Sequence, residues 1–121
     1  MPDLKFNLLQ KEVEKILAKS PIDFEVMHSR LVLKYVLKLK PKASEALRIA
    51  AVTHDIERAV TGITEKDLKD YSKIHEFKRK HAFRSAKIVS KLLKKHKYSS
   101  SLIKKTFSLI AFFQSPYLYF L

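Results

Sequence analysis

Cysteine is absent from this 121-residue chain, and so is tryptophan. The first absence excludes disulfides, thiolate metal sites and cysteine nucleophiles, and leaves histidine and carboxylate as the ligand set open to a metal. Glycine occurs once and proline four times. So few breakers, in a chain rich in Leu, Lys, Ala and Glu, predict an all-α fold. Long apolar runs are missing as well. The longest uncharged stretch, residues 106–121, is broken by Gln114, Ser115 and Pro116 and is too short to span a bilayer. Between Met1 and Ser20, lysines and glutamates interleave with apolar residues, without the h-region or cleavage pattern of a signal peptide, so the expected location is cytoplasmic. Finally, no acid follows Glu76. Residues 1–76 carry 14 Lys/Arg against all 12 acids, whereas residues 77–105 carry 11 Lys/Arg and none, so one segment supplies nearly all of the net +13. Such a concentration points either to an anionic partner, a phosphorylated substrate or nucleic acid, or to a lysine-rich solvated helix face.

With 46% hydrophobic residues and no repeat, low-complexity tract or linker, residues 1–121 read as a single domain of about five helices. The first covers about Asp3 to Lys19, with Phe6, Leu9, Val13, Ile16 and Leu17 at helical spacing and Pro21 beyond it. The second runs from Ile22 or Asp23 to Leu39, stops at Lys40-Pro41, and places Phe24, His28, Leu31 and Tyr35 on one face. Ser44 is the expected N-cap of a third helix reaching Val60, with Gly62 as its C-terminal cap and Thr64 opening a short turn. A long fourth helix, from Tyr71 or Ser72 to His96, separates an apolar stripe of Ile74, Phe77, His81, Ser85, Ile88 and Leu92 from a basic one of Lys80, Arg84, Lys87, Lys91 and Lys94. The last helix follows Ser99-Ser100-Ser101 and includes Leu102, Ile103, Phe107 and Ile110. Residues 106–121 form an atypical apolar tail, which predicts self-association through residues 107–121.

The stretch Ala50-Ala51-Val52-Thr53-His54-Asp55-Ile56-Glu57-Arg58 sets a His-Asp doublet on a helix of small apolar residues. Adjacent imidazole and carboxylate inside a core need a partner, which is either a divalent metal or a hydrogen-bonded pairing of the two. His28 and His81 fall on inward faces of the neighbouring helices, each of which read alone is a satisfied core histidine. Antiparallel helices can bring His28, His54 and Asp55 to one cavity, where two imidazoles and a carboxylate suit a hard or borderline cation.

The order Phe-Glu-Val-Met-His28, Ala-Ala-Val-Thr-His54-Asp55-Ile and Lys-His81-Ala-Phe-Arg-Ser-Ala resembles the HD domain superfamily of metal-dependent phosphohydrolases over about residues 22–110. The resemblance implies an HD-like bundle of five helices. It also implies His28, His54 and Asp55 as ligands of a divalent ion (Mn, Fe, Co, Ni, Zn or Mg), and His81 as a ligand of a second ion or a contact to substrate phosphate. In that chemistry the cation acidifies bound water and offsets charge on a phosphoryl oxygen, so that hydroxide attacks phosphorus in a small phosphorylated compound such as a nucleotide. Asp55 and Glu57 are the candidate catalytic carboxylates, Glu57 orienting water as a base. Arg30, Arg58, Arg79, Lys80 and Arg84 are candidates for holding phosphate. The family's downstream aspartate has no counterpart here, since the last acid is Glu76. Three readings compete: a truncated or altered chain that has lost the ligand, a position filled by water, substrate or a partner subunit, and a degenerate site in a binding module. A basic helical nucleic-acid-binding module and a catalytically silent HD regulator are the alternatives to the enzyme.

Overall fold

The computed structural model describes residues 4–112, all helix and connecting turn, with no strand among the described residues. Its helices are α1 (Leu4–Leu17), α2 (Glu25–Leu39), α3 (Glu45–Thr53), α4 (Ile56–Thr61), α5 (Ile74–Lys95) and α6 (Ser100–Phe112), with 3-10 turns at Glu65–Asp67 and Tyr71–Lys73. The part of the expected tail beyond Phe112 lies outside the described residues.

Local chemistry sets the boundaries. Ser44 Oγ accepts from Leu47 N at 3.2 Å to open α3, and Ser99 Oγ accepts from Leu102 N at 3.1 Å to open α6. Gly62, at φ 74°, closes α4 in the left-handed conformation that glycine adopts without a Cβ clash.

α3 is buried from Ala46 to Thr53 except at Arg48, and an almost wholly apolar helix of this kind belongs at the centre of a bundle. It packs against α2, α6 and α1, while α5 lies along α6 and touches α4. Phe6, Leu9, Val13 and Leu17 of α1 enter the same core as Val32 and Val36 of α2, Ile56 of α4, Val89 and Leu93 of α5 and Ile110 of α6. No helix among the described residues is long and apolar enough to cross a membrane.

Three expectations are corrected. The helix expected from Ser44 to Val60 is two helices, interrupted at His54 and Asp55. Thr53 Oγ1 donates back to Ile49 O at 2.7 Å, a bond that bends helices, and Asp55 takes φ −104°, ψ 16°, outside the helical region. The inward face of α2 is Glu25, Ser29, Val32 and Val36; Phe24, Leu31 and Tyr35 are exposed, and His28 stands at the border. The stripe of α5 is buried as expected at Ile74, His81 and Ser85 but widens to Ala82, Ala86, Val89 and Leu93, with Phe77, Ile88 and Leu92 only partly covered.

α5 ends in a Schellman motif: Tyr98 N donates to Leu93 O and Lys97 N to Lys94 O, both at 3.0 Å, and Tyr98 is buried. The left-handed residue, Lys97 at φ 63°, is not glycine. An L side chain there costs about 1 kcal/mol. Lys97→Gly is therefore expected to raise the unfolding free energy by up to about 1 kcal/mol in urea titrations, where glycine in a helix interior would lower it.

Candidate metal centre

The interruption between α3 and α4 delivers the doublet. Asp55 occupies the N-cap position of α4, where an aspartate ordinarily accepts from the backbone N–H two or three residues on. Its side chain makes no such cap. Instead Glu57 N donates to Ser85 Oγ of α5 at 3.2 Å, so an N–H that Asp55 would have satisfied is satisfied from elsewhere. The Asp55 carboxylate is thereby left to turn inward.

Around it stand three imidazoles. Asp55 Oδ2 lies 3.1 Å from His54 Nε2 and 3.5 Å from His28 Nε2, and Asp55 Oδ1 lies 3.3 Å from His81 Nε2. The rings of His28 and His54 are 5.7 Å apart. His54 Nδ1–H donates to Ala51 O at 3.1 Å, which sets the tautomer and aims the lone pair of Nε2 at Asp55. A lone pair facing a carboxylate calls for positive charge between them, from a proton or a metal. Arg58 Nη2 lies 2.5 Å from Asp55 Oδ2, yet no contact of that buried oxygen is aligned as a hydrogen bond. One donor atom each from His28, His54 and Asp55 fall within 4.8 Å of one another, so the residues present fit a divalent cation of the borderline class.

Burial alone would push the Asp55 carboxyl upward, but the charge of His54 and the facing nitrogens of His28, His54 and His81 hold it well below the usual carboxylate range. Burial opposes a charged His54, and the attraction of Asp55 outweighs it, so the His54 pKa is raised. Burial raises Glu25, against the opposing charge of Arg58.

The structure brings His28, His54, Asp55, His81, Glu57, Arg58 and Arg84 together and leaves other candidates outside. Glu57 departs from the expected water-orienting base: it is buried, with Oε1 accepting from Arg84 Nε at 2.6 Å and Oε2 from His81 Nδ1 at 2.9 Å. Both oxygens are committed, which makes Glu57 a group that orients His81. Arg30 is not at the centre; its guanidinium forms a two-pronged pair with Glu14 of α1 at 2.7 and 2.8 Å. Lys80 pairs with Glu76 on the exposed face of α5 at 3.1 Å, and Arg79 is exposed. Sequence reasoning missed Glu25 and Ser85 as parts of the site. Glu25 is 2% exposed, and its Oε1 lies 3.4 Å from Arg58 Nη2. The available signal was its place three residues before His28 on one helix surface.

Two outcomes are expected of the protein without added metal. Ser85→Ala leaves the Glu57 N–H unpaired and should cost about 1 kcal/mol in urea unfolding. Asp55, with its depressed pKa, stabilises the fold above the ordinary carboxylate range and ceases to do so as pH falls through its folded value. His54, with its raised pKa, stabilises below the ordinary imidazole value and ceases as pH rises through its folded value. The stability gap between wild type and Asp55→Asn should thus be widest near pH 5 to 6, roughly, and close towards acid.

No curated protein and no solved structure matches the chain. Over residues 9–113, a span holding every residue of the cluster, the sequence matches the family model described as Domain of unknown function (DUF4202), and the chain belongs to that family.

Proposed function

We propose that the protein is a metal-dependent phosphohydrolase of the HD type, acting on a small phosphorylated compound such as a nucleotide. The observation that carries this reading is the convergence of donor atoms from His28, His54 and Asp55 within 4.8 Å, beside two arginines. A bound divalent cation supplies Lewis acidity, acidifying water and offsetting charge on a phosphoryl oxygen. The chain's own residues do the rest. Ala51 O and Ser85 Oγ hold His54 and the start of α4 in place. Glu57 fixes the His81 ring through Nδ1, leaving Nε2 as the atom that exchanges a proton. Arg58 and Arg84, each partly exposed and each tied to a carboxylate of the cluster, are the guanidiniums placed to receive a phosphate.

A second reading draws on α5, whose Lys87, Lys91 and Lys94 repeat along one side of the helix and would suit the backbone of a nucleic acid. The first reading predicts that protein purified with Mn, Co or Ni retains metal and releases phosphate from nucleotides, and that His54→Ala and Asp55→Ala lose both. Equal metal content and equal activity in all three proteins would sink it. Binding to oligonucleotides with a steep salt dependence, unaffected by Asp55→Ala, would favour the second.

A further inference from the structure

The resemblance expects a second carboxylate from the last helix, and α6 has no acid to give. α2 has one. Glu25 begins α2, three residues before His28, so the two side chains are neighbours on one helix surface. It is 2% exposed, and neither Oε1 nor Oε2 has a hydrogen-bond partner. A carboxylate withdrawn from water without hydrogen bonds is costly, and a fold that keeps one ordinarily brings a cation to it. Arg58 is the cation that faces it, while the donors of His28, His54 and Asp55 that fall within 4.8 Å of one another form a group beside it that does not include Glu25.

Arg58 marks the position. Its Nη2 lies 2.5 Å from Asp55 Oδ2 and 3.4 Å from Glu25 Oε1, so a single cationic nitrogen already stands between the two carboxylates. We propose that Glu25 is the second carboxylate ligand of the metal centre, an inference that rests on the metal reading of His28, His54 and Asp55. Neutral His28 and His54 with Asp55 alone leave one charge of a divalent ion uncompensated. Glu25 balances it and completes a set of two nitrogen and two oxygen donors, which suits Mn, Fe, Co, Ni or Zn. Arg58 and the ion then compete for the same two oxygens. Its side chain is partly exposed, so an ion held by these oxygens would release it toward solvent to meet an anionic ligand.

The test is a Co(II) titration followed by visible absorption, using wild type, Asp55→Asn, Glu25→Gln and Arg58→Met, each checked for helical content. Glu25→Gln should weaken Co(II) binding more than about tenfold and change the ligand-field bands, because a donor atom has been replaced. Arg58→Met should bind Co(II) more tightly than wild type, and this variant carries the test should Glu25→Gln not fold. Unchanged affinity or unchanged bands in folded Glu25→Gln, or equal or weaker binding by Arg58→Met, overturns the proposal. Should wild type bind no Co(II), or bind it no better than Asp55→Asn, the metal reading itself fails. Loss in Asp55→Asn without loss in Glu25→Gln removes Glu25 alone.

Discussion

Ser85 Oγ accepts the backbone N–H of Glu57, and the arrangement of the centre depends on that bond. At a helix N-cap, aspartate and its own backbone compete successfully for one another. A hydroxyl from α5 removes the competitor, so Asp55 is available to three imidazoles and an arginine instead. The same bond fixes how α4 meets α5, which in turn sets Glu57 against His81 and Arg84.

The end of α3 is accounted for in the same way. A helix leaves its last carbonyls without intrahelical partners. Ala51 O receives His54 Nδ1–H, and Val52 O receives the Ser29 hydroxyl of α2 at 2.9 Å. The groups that quiet the helix terminus are thus the ones that orient a ligand candidate and tie α2 to the site. Stability and site geometry are satisfied by the same hydrogen bonds.

Much of this could be read from residue order, and what could not has physical reasons. The helical class, the caps at Ser44 and Gly62 and the core stripe of α1 follow from short-range rules that tertiary contacts did not override. His28, His54, Asp55 and His81 were legible because three histidines and an aspartate occur together at helical positions on successive helices, where each histidine alone would pass as a core residue. Glu25 was not, since a glutamate in the first turn of a helix is well explained by the helix dipole and by solvent. The faces of α2 were ambiguous by period: Phe24, Leu31 and Tyr35 are more apolar than Glu25 and Ser29, yet the α3 terminus engages Ser29 and Arg58 of α4 faces Glu25 on the inward side. Arg30 and Glu57 were assigned by nearness in sequence, which does not reveal that Glu14 engages the one and that Arg84 and His81 saturate the other.

The seam between α3 and α4 is clamped by Ser29 and His28 from one side and by Ser85, His81 and Arg84 from the other. Those clamps come from segments more than fifty residues apart in the chain, between Ser29 and Ser85. A contiguous loop can carry an ion by itself, as a short peptide. Here the groups come from α2, the α3–α4 junction and α5, so no single loop holds the constellation, and partial unfolding of either flank would dismantle it as a unit. The centre therefore reports on the integrity of the whole bundle, and its loss should track global cooperativity and not the fraying of any one helix.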